Sequence, residues 1–177
     1  MINPITSPIL HINIGSNLGE REALLRKAVS ELLKAFPGEA RVSHTIETEA
    51  WGYESDNPFL NIGVSITLAV GAPIDPIDVL HTIKRIEQGI STAPHRDNDG
   101  AYIDRQLDID LIAIDPGTAP GDHSPASSLV IDTPELTLPH PRMHLRDFVL
   151  IPLAETAPAW RHPLLHLTPA EMLASLR

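Results

Sequence analysis

Residues 105–114 read Arg-Gln-Leu-Asp-Ile-Asp-Leu-Ile-Ala-Ile, an apolar, β-branched run broken by Asp108 and Asp110. No other stretch limits the fold as tightly, because it asks for a strand with a buried side that also carries two acids. Side chains alternate along a strand, so both carboxylates share one face while Leu107, Ile109, Leu111 and Ala113 fall on the other. Their Cβ atoms then lie roughly 7 Å apart, which lets the two carboxyl groups converge on one cation or hold a pair about 4 Å apart. Hard oxygen ligands of this kind suit Mg²⁺, which completes its shell with water and substrate phosphate. Asp-x-Asp also occurs on solvated strand edges, where nothing need bind. The apolar flanks disfavour that explanation, since buried carboxylates without partners are costly and a cation removes the cost. Arg105 adds a positive group three residues upstream.

Length and charge bound the rest. A chain of 177 residues with 42% hydrophobic content can bury one good core, and with no break in composition a single domain over residues 1–177 is expected. A net charge of −10 lacks the broad basic field that nucleic acid or an anionic membrane requires. Any phosphate site must be locally basic, and Lys84, Arg85, Arg96, Arg105, Arg142 and Arg146 flank the Asp pair or lie in segments able to reach it. Cysteine is absent, which excludes disulfides and thiolate metal sites. With no secretory pattern over residues 1–13 and no run long enough to span a bilayer, the expectation is a cytoplasmic protein, monomeric, acting on small molecules.

Taken in order, residues 9–14 alternate as a strand and run into Gly15-Ser16-Asn17-Leu18-Gly19, a turn that enters a helix. Residues 20–36 carry Leu25, Val29, Leu32 and Phe36 at helical spacing, and Pro37-Gly38 stops them. A second strand is expected over 42–48 and a third over 59–70, where Leu60, Ile62, Val64, Ile66, Leu68 and Val70 form one apolar face. The other face offers Phe59, Asn61 and Gly63: an aromatic, an amide and a glycine that leaves space suit a flat polar heterocycle, or equally a sheet-edge Phe and a capping Asn. Asp75-Pro76-Ile77-Asp78 opens a helix that ends near Gly89, with Lys84 and Glu87 one turn apart. Residues 89–104 have no periodicity and read as a mobile lid leading to the Asp pair. Residues 115–128 read as a surface excursion and 129–131 as a short strand. A helical stretch follows over 148–153, and Thr168-Pro169-Ala170-Glu171 forms a capping box. His140 and His144, or His162 and His166, have zinc-like spacing but lack a third ligand.

Four segments together, Gly15-Ser16-Asn17-Leu18-Gly19, Phe59-Leu60-Asn61, Arg105-x-Leu-Asp108-Ile-Asp110, and Leu138-Pro139-His140-Pro141-Arg142 followed by Arg146-x-Phe148-Val149-Leu150, resemble the 6-hydroxymethyl-7,8-dihydropterin pyrophosphokinases of folate biosynthesis. The resemblance runs from about residue 9 to 158. It implies an α+β, ferredoxin-like domain, a mostly antiparallel sheet with helices on both faces, that moves pyrophosphate from ATP to the pterin hydroxymethyl group and releases AMP. It implies that Asp108 and Asp110 ligate two Mg²⁺ ions and act in catalysis with Arg105 and Arg96. By the same resemblance Lys84, Glu87, Arg105, Leu111, Thr137, His140, Arg142 and Arg146 belong to the ATP site. Thr48, Ala50, Trp51, Phe59, Asn61, Tyr102 and Phe148 belong to the pterin site. Two positions depart from the pattern: Ile90 and Glu135 stand where relatives often carry basic residues. A non-catalytic pterin or nucleotide-binding domain and a two-metal nucleotidyl transferase are the alternatives.

Overall fold

The computed structural model describes residues 6–118 and 127–176. Strand β1 (Ile9–Ser16) leads into helix α1 (Arg21–Ala35), then β2 (Gly38–Val42), β3 (Ile46–Thr48), β4 (Phe59–Leu68) and helix α2 (Pro76–Ile90). Strand β5 (Asp108–Asp115) follows, with the short strands β6 (Ile131–Asp132) and β7 (Thr137–Leu138), then helices α3 (Asp147–Thr156) and α4 (Pro169–Ala174). The main sheet has the order β2-β4-β1-β5, with β3 also pairing to β4, and every pair is antiparallel. Helices α1 and α2 return the chain between sheet strands, which gives the ferredoxin-like arrangement.

Two apolar cores follow from the two faces of this sheet. On one face Leu10, Ile12, Ile14, Val64, Ile66, Ile109 and Leu111 pack against Leu25, Ala28 and Leu32 of α1 and Val79 and Ile83 of α2. On the other, Ile112 and Ala113 pack against Val149, Leu150 and Leu153 of α3 and Met172 of α4. This second layer covers only part of its face. The remainder carries Asn13, Gly15, Phe59, Asn61, Asp108 and Asp110, all lining one cleft.

Alternation along β5 breaks after Leu111. The register against β1 passes from Ile12↔Leu111 to His11↔Ala113, so Ile112 is an extra residue, a β-bulge. Ala113 therefore joins Ile112 in the α3 core and Ile114 turns into the α1/α2 core, against the simple period-two expectation that set Ala113 opposite the acids. The bulge also frees the Ile112 carbonyl, which accepts the His140 backbone N–H at 2.8 Å and ties that segment beside the acids.

Other expectations shift for local reasons. Residues 42–48 form no continuous strand: the Ser43 hydroxyl accepts the Gly63 N–H at 2.9 Å, ending the β2 ladder before β3 begins at Ile46. The strand expected from residue 105 starts at Asp108, because the Arg105 backbone is held by Asn17 instead. Val70 is 60% exposed in the turn after β4, outside the apolar face. The space expected at Gly63 is filled, since a Cβ there would lie 2.7 Å from Pro152 Cβ of α3. Residues 89–90 complete α2, and the segment after it contains a small hairpin in which Arg96 bridges Tyr102 and Asp97 Oδ1 caps the N–H groups of Asp99 and Ala101. The capping box at Thr168 and Glu171 forms as read. Of the excursion over 115–128, residues 119–126 lie outside the described residues; at its ends Asp115 and Ser128 are hydrogen-bonded to each other.

Candidate active site

The cleft lies above the uncovered part of the sheet. Its floor comes from three adjacent strands: Asn13 and Gly15 of β1, Phe59 and Asn61 of β4, and Asp108 and Asp110 of β5. A Cβ at Gly15 would come within 3.0 Å of Asn61 Oδ1 and 3.4 Å of the Phe59 ring, so the glycine lets these two side chains lie close over the strand. The walls are Thr48, Glu49, Trp51 and Tyr53 on one side, Tyr102 and Arg105 on another, and Arg146 and Phe148 at the start of α3.

Arginines tie the aromatic and acidic parts together. The Arg105 guanidinium pairs with Asp108 at 2.8 Å and sits 5.2 Å from the Phe59 ring centre. Arg146 lies 3.7 Å from Asp110, 4.7 Å from the Trp51 ring centre and 5.6 Å from that of Phe148. Arg142 donates to the Tyr102 hydroxyl at 2.8 Å, and Arg96 stacks 3.9 Å over the same ring. Behind Asp108, Glu87 is nearly fully buried; its Oε2 accepts the Ile109 N–H at 2.6 Å, with Lys84 3.7 Å from Oε1. His95 stands 3.7 Å from both Glu87 and Asp108.

Burial and like charge raise the Asp108 carboxyl above its ordinary range, with Asp110 adding to the effect and Arg105 opposing it. Burial raises Asp110 as well, and Arg146 opposes it. Both side chains keep an opening to solvent, 20% and 26% exposed, so a hydrated cation can reach them. Burial also raises Glu87. Burial beside Arg146 and Arg142 lowers His140 to about 4, leaving it neutral at pH 7. Burial would raise the Tyr102 phenol, but the Arg142 hydrogen bond and the charges of Arg142, Arg96 and Arg146 bring it below its usual value.

Several polar atoms are left for a ligand. Asn13 Oδ1, Arg105 Nε and Nη1 and Arg146 Nε are buried without a hydrogen-bond partner among the described residues. Each such group costs about 1–3 kcal/mol when left unpaired, a cost that an oxyanion removes from the arginines. The donor set around Asp108 and Asp110 is two hard carboxylates facing guanidinium groups, which fits a divalent cation bound together with phosphate.

The structure brings Thr48, Trp51, Phe59, Asn61, Tyr102, Arg105, Asp108, Asp110, Arg146 and Phe148 to one cleft, with Arg96 and Arg142 holding Tyr102. Lys84 and Glu87 stand beside the acids, and His140 lies near enough to Asp108 to feel its charge. Ala50 lies instead in an outer groove with Glu54 and Asp56, Leu111 is in the α1/α2 core, and Thr137 pairs with Asp132 in the small sheet. Asn13 and Tyr53 line the cleft without having been singled out in the sequence; strand parity two residues before Gly15 could have flagged Asn13. Ile90 packs on the α1/α2 core and Glu135 pairs with His81 at 2.5 Å, so neither departure from the family pattern places an unpaired group in the cleft. The paired histidines belong to no such cluster; among the described residues the one group of three or more His, Asp or Glu side chains spaced to share a cation is Glu87, His95 and Asp108.

Comparison with known proteins identifies the family. The family model for 7,8-dihydro-6-hydroxymethylpterin-pyrophosphokinase (HPPK) matches residues 11–158. The 2-amino-4-hydroxy-6-hydroxymethyldihydropteridine pyrophosphokinase of Porphyromonas gingivalis is 39% identical over 155 residues, covering 88% of this chain and 94% of the relative. The Bacillus subtilis enzyme of the same name is 34% identical over 148 residues, 83% of this chain and 77% of the relative. A solved structure of a Plasmodium falciparum HPPK-DHPS triple mutant shares the fold with a TM-score of 0.64 at 15% identity, over 98% of this chain. The present chain spans only 45% of that longer protein. Taken with the paired acids, the arginines and the aromatic cleft, these matches make the chain a member of the 7,8-dihydro-6-hydroxymethylpterin-pyrophosphokinase family.

Proposed function

We propose that this protein transfers pyrophosphate from ATP to the hydroxymethyl group of 6-hydroxymethyl-7,8-dihydropterin, giving AMP and the pterin methyl diphosphate. The observation that carries the reading is the direct adjacency of two different surfaces in one cleft. Asp108 and Asp110 face Arg105 and Arg146, and Trp51, Phe59, Phe148 and Asn61 line the space beside them.

The aromatic rings offer flat faces to a pterin, while Asn61, held by a 2.9 Å bond from its amide nitrogen to Thr48 Oγ1, presents its carbonyl to the ring edge. That orientation sends the hydroxymethyl group toward the acids. Arg105 and Arg146 carry the unpaired donors that receive phosphoryl oxygens, and Lys84 lies on the same side. The hydroxyl oxygen attacks the β-phosphorus and gives up its proton to solvent, the bond from that phosphorus to the α,β-bridging oxygen breaks, and AMP leaves with the bridging oxygen. Asp108 and Asp110 would hold two Mg²⁺ ions, whose chemistry when bound is to neutralise phosphate charge and polarise the reacting oxygens. Arg96, stacked on Tyr102 with Arg142 bonded to its hydroxyl, holds the aromatic wall closed over the reacting groups and excludes water.

The reading takes residues 1–177 as a single monomeric catalytic domain working in the cytoplasm on small molecules. The acidic net charge opposes a nucleic-acid partner, and no helix among the described residues is long and apolar enough to cross a membrane. Incubation with Mg²⁺, ATP and the reduced hydroxymethylpterin tests it. AMP should form only when pterin is present; ADP as the product, or pyrophosphate release without pterin, would overturn it.

A further inference from the structure

Two stretches of the cleft wall have no apolar core of their own. None of residues 49–58 or 91–106 belongs to either buried cluster, although Trp51, Tyr53, Tyr102 and Arg105 all come from them. Their placement must rest on polar bonds, and among the described residues the hydrogen bonds that join one stretch to the other all end on one side chain. Asp104 Oδ1 accepts from Ser55 Oγ at 2.6 Å, Asn17 Nδ2 at 2.7 Å and Tyr53 OH at 3.2 Å. Its Oδ2 accepts from Asn57 Nδ2 at 2.6 Å.

We propose that Asp104 is a positioning residue that clamps the 49–58 segment to the segment carrying Tyr102 and Arg105, and so sets the shape of the pterin pocket. The inference rests on the assignment of this cleft to the pterin. Its geometry is that of a junction. Asn17, in the turn after β1, donates its side-chain amide to Asp104 and to the Asn57 carbonyl at 3.1 Å, while its Oδ1 accepts the Arg105 N–H at 2.8 Å. Its own N–H donates to the Arg105 carbonyl at 3.1 Å. The rigid sheet therefore holds both loops through one amide and one carboxylate. Across the junction the Tyr53 and Tyr102 rings lie 6.4 Å apart. Arg105, next to Asp104 in sequence, keeps its own hold through its backbone bonds to Asn17 and its pair with Asp108 at 2.8 Å, so loss of the clamp frees the pterin wall and leaves the phosphate-side cation in place. The four hydrogen bonds hold the Asp104 carboxyl below the usual carboxylate range although burial opposes them, as expected where the donors serve the ionised form.

The test is kinetic and structural, on the full chain, with Asp104→Ala, Asp104→Asn and, from the opposite side of the clamp, Ser55→Ala. Asp104→Ala should raise the KM for the pterin about tenfold or more and leave the KM for ATP within about twofold, with a smaller fall in kcat. Asp104→Asn and Ser55→Ala should show the same split with smaller size, and their combination should be less than additive because both cut the same bond. Amide exchange over 49–58 in the free protein should quicken in Asp104→Ala, a readout that needs no substrate. Unchanged exchange there overturns the clamp, whatever the enzyme does. A lowered melting temperature with both KM values unchanged also overturns it. A wild-type protein that makes no AMP removes the pterin assignment, and the exchange result then still decides the clamp.

Discussion

Replacing Asp110 with asparagine separates what the acid does for the reaction from what it does to the fold. The carboxyl is buried beside Asp108, and burial raises its pKa above the ordinary aspartate value. The folded state therefore binds this proton more tightly than the unfolded state does. Stability is lost as the pH rises from the ordinary aspartate range through the raised pKa of the folded state, and it is not regained at neutral pH. Arg146, 3.7 Å away, and the 26% exposure of the side chain reduce the penalty without reversing its direction. Asparagine keeps the shape and removes the charge, and it also removes the repulsion felt by Asp108. Each pKa unit of displacement corresponds to about 1.4 kcal/mol, and in a chain of this size about 1 kcal/mol moves the melting temperature by roughly 2–4 °C. Asp110→Asn should thus melt a few degrees higher than wild type in EDTA at pH 7.5, and the gap should shrink as the pH is lowered. The same substitution should lower turnover on the order of a thousandfold, because charge neutralisation at the reacting phosphates is lost. Thermal melts with and without EDTA, beside an AMP assay, read both effects. A variant that melts lower than wild type in EDTA at neutral pH would refute the reasoning, since the carboxylate would then be a net stabilising partner of Arg146 and not a ligand held in reserve.

Two further predictions address the surroundings of the site. His140 is lowered to about 4, so only the unfolded chain takes up its proton between pH 6.5 and 4; stability present above pH 6.5 should fall across that window by up to roughly 3 kcal/mol, and His140→Asn should flatten the decline in urea titrations at successive pH values. Gly63→Ala places a methyl 2.7 Å from Pro152 Cβ, which should cost about 1–3 kcal/mol and, by displacing the start of α3 with Arg146 and Phe148, raise both KM values; a variant with wild-type melting temperature and kinetics would show that α3 does not bear on β4 there.

The sequence made the strands and helices legible where periodicity is strong, and the site legible where chemistry is unusual. Alternation at residues 59–68, the Asp75-Pro76 start of α2 and the capping box at Thr168 all rest on local physics and all form. The Asp pair could be placed on one face because nothing interrupts alternation before Leu111. The bulge at Ile112 could not be foreseen, since it is set by pairing with β1 and by the His140 backbone, both distant in sequence. The hairpin around Asp97 and Gly100 left a turn signal, Asp-Asn-Asp-Gly, but its position over the cleft depends on Arg96 and Arg142 meeting Tyr102. Asp104 gave no signal. One acid in an irregular stretch is ordinary, and its partners Asn17, Tyr53, Ser55 and Asn57 come together only through the fold. Gly63 is the opposite lesson: a small residue beside Phe59 and Asn61 reads as room for a ligand, and the room belongs to α3.

The central claim is that Asp108 and Asp110 hold divalent cations against a triphosphate. Counting bound Mn²⁺ by electron paramagnetic resonance, in the presence of a non-hydrolysable ATP analogue, tests it most directly. The account predicts two ions per wild-type chain and a loss of at least one in each of Asp108→Ala and Asp110→Ala. An undiminished count in either variant would contradict it.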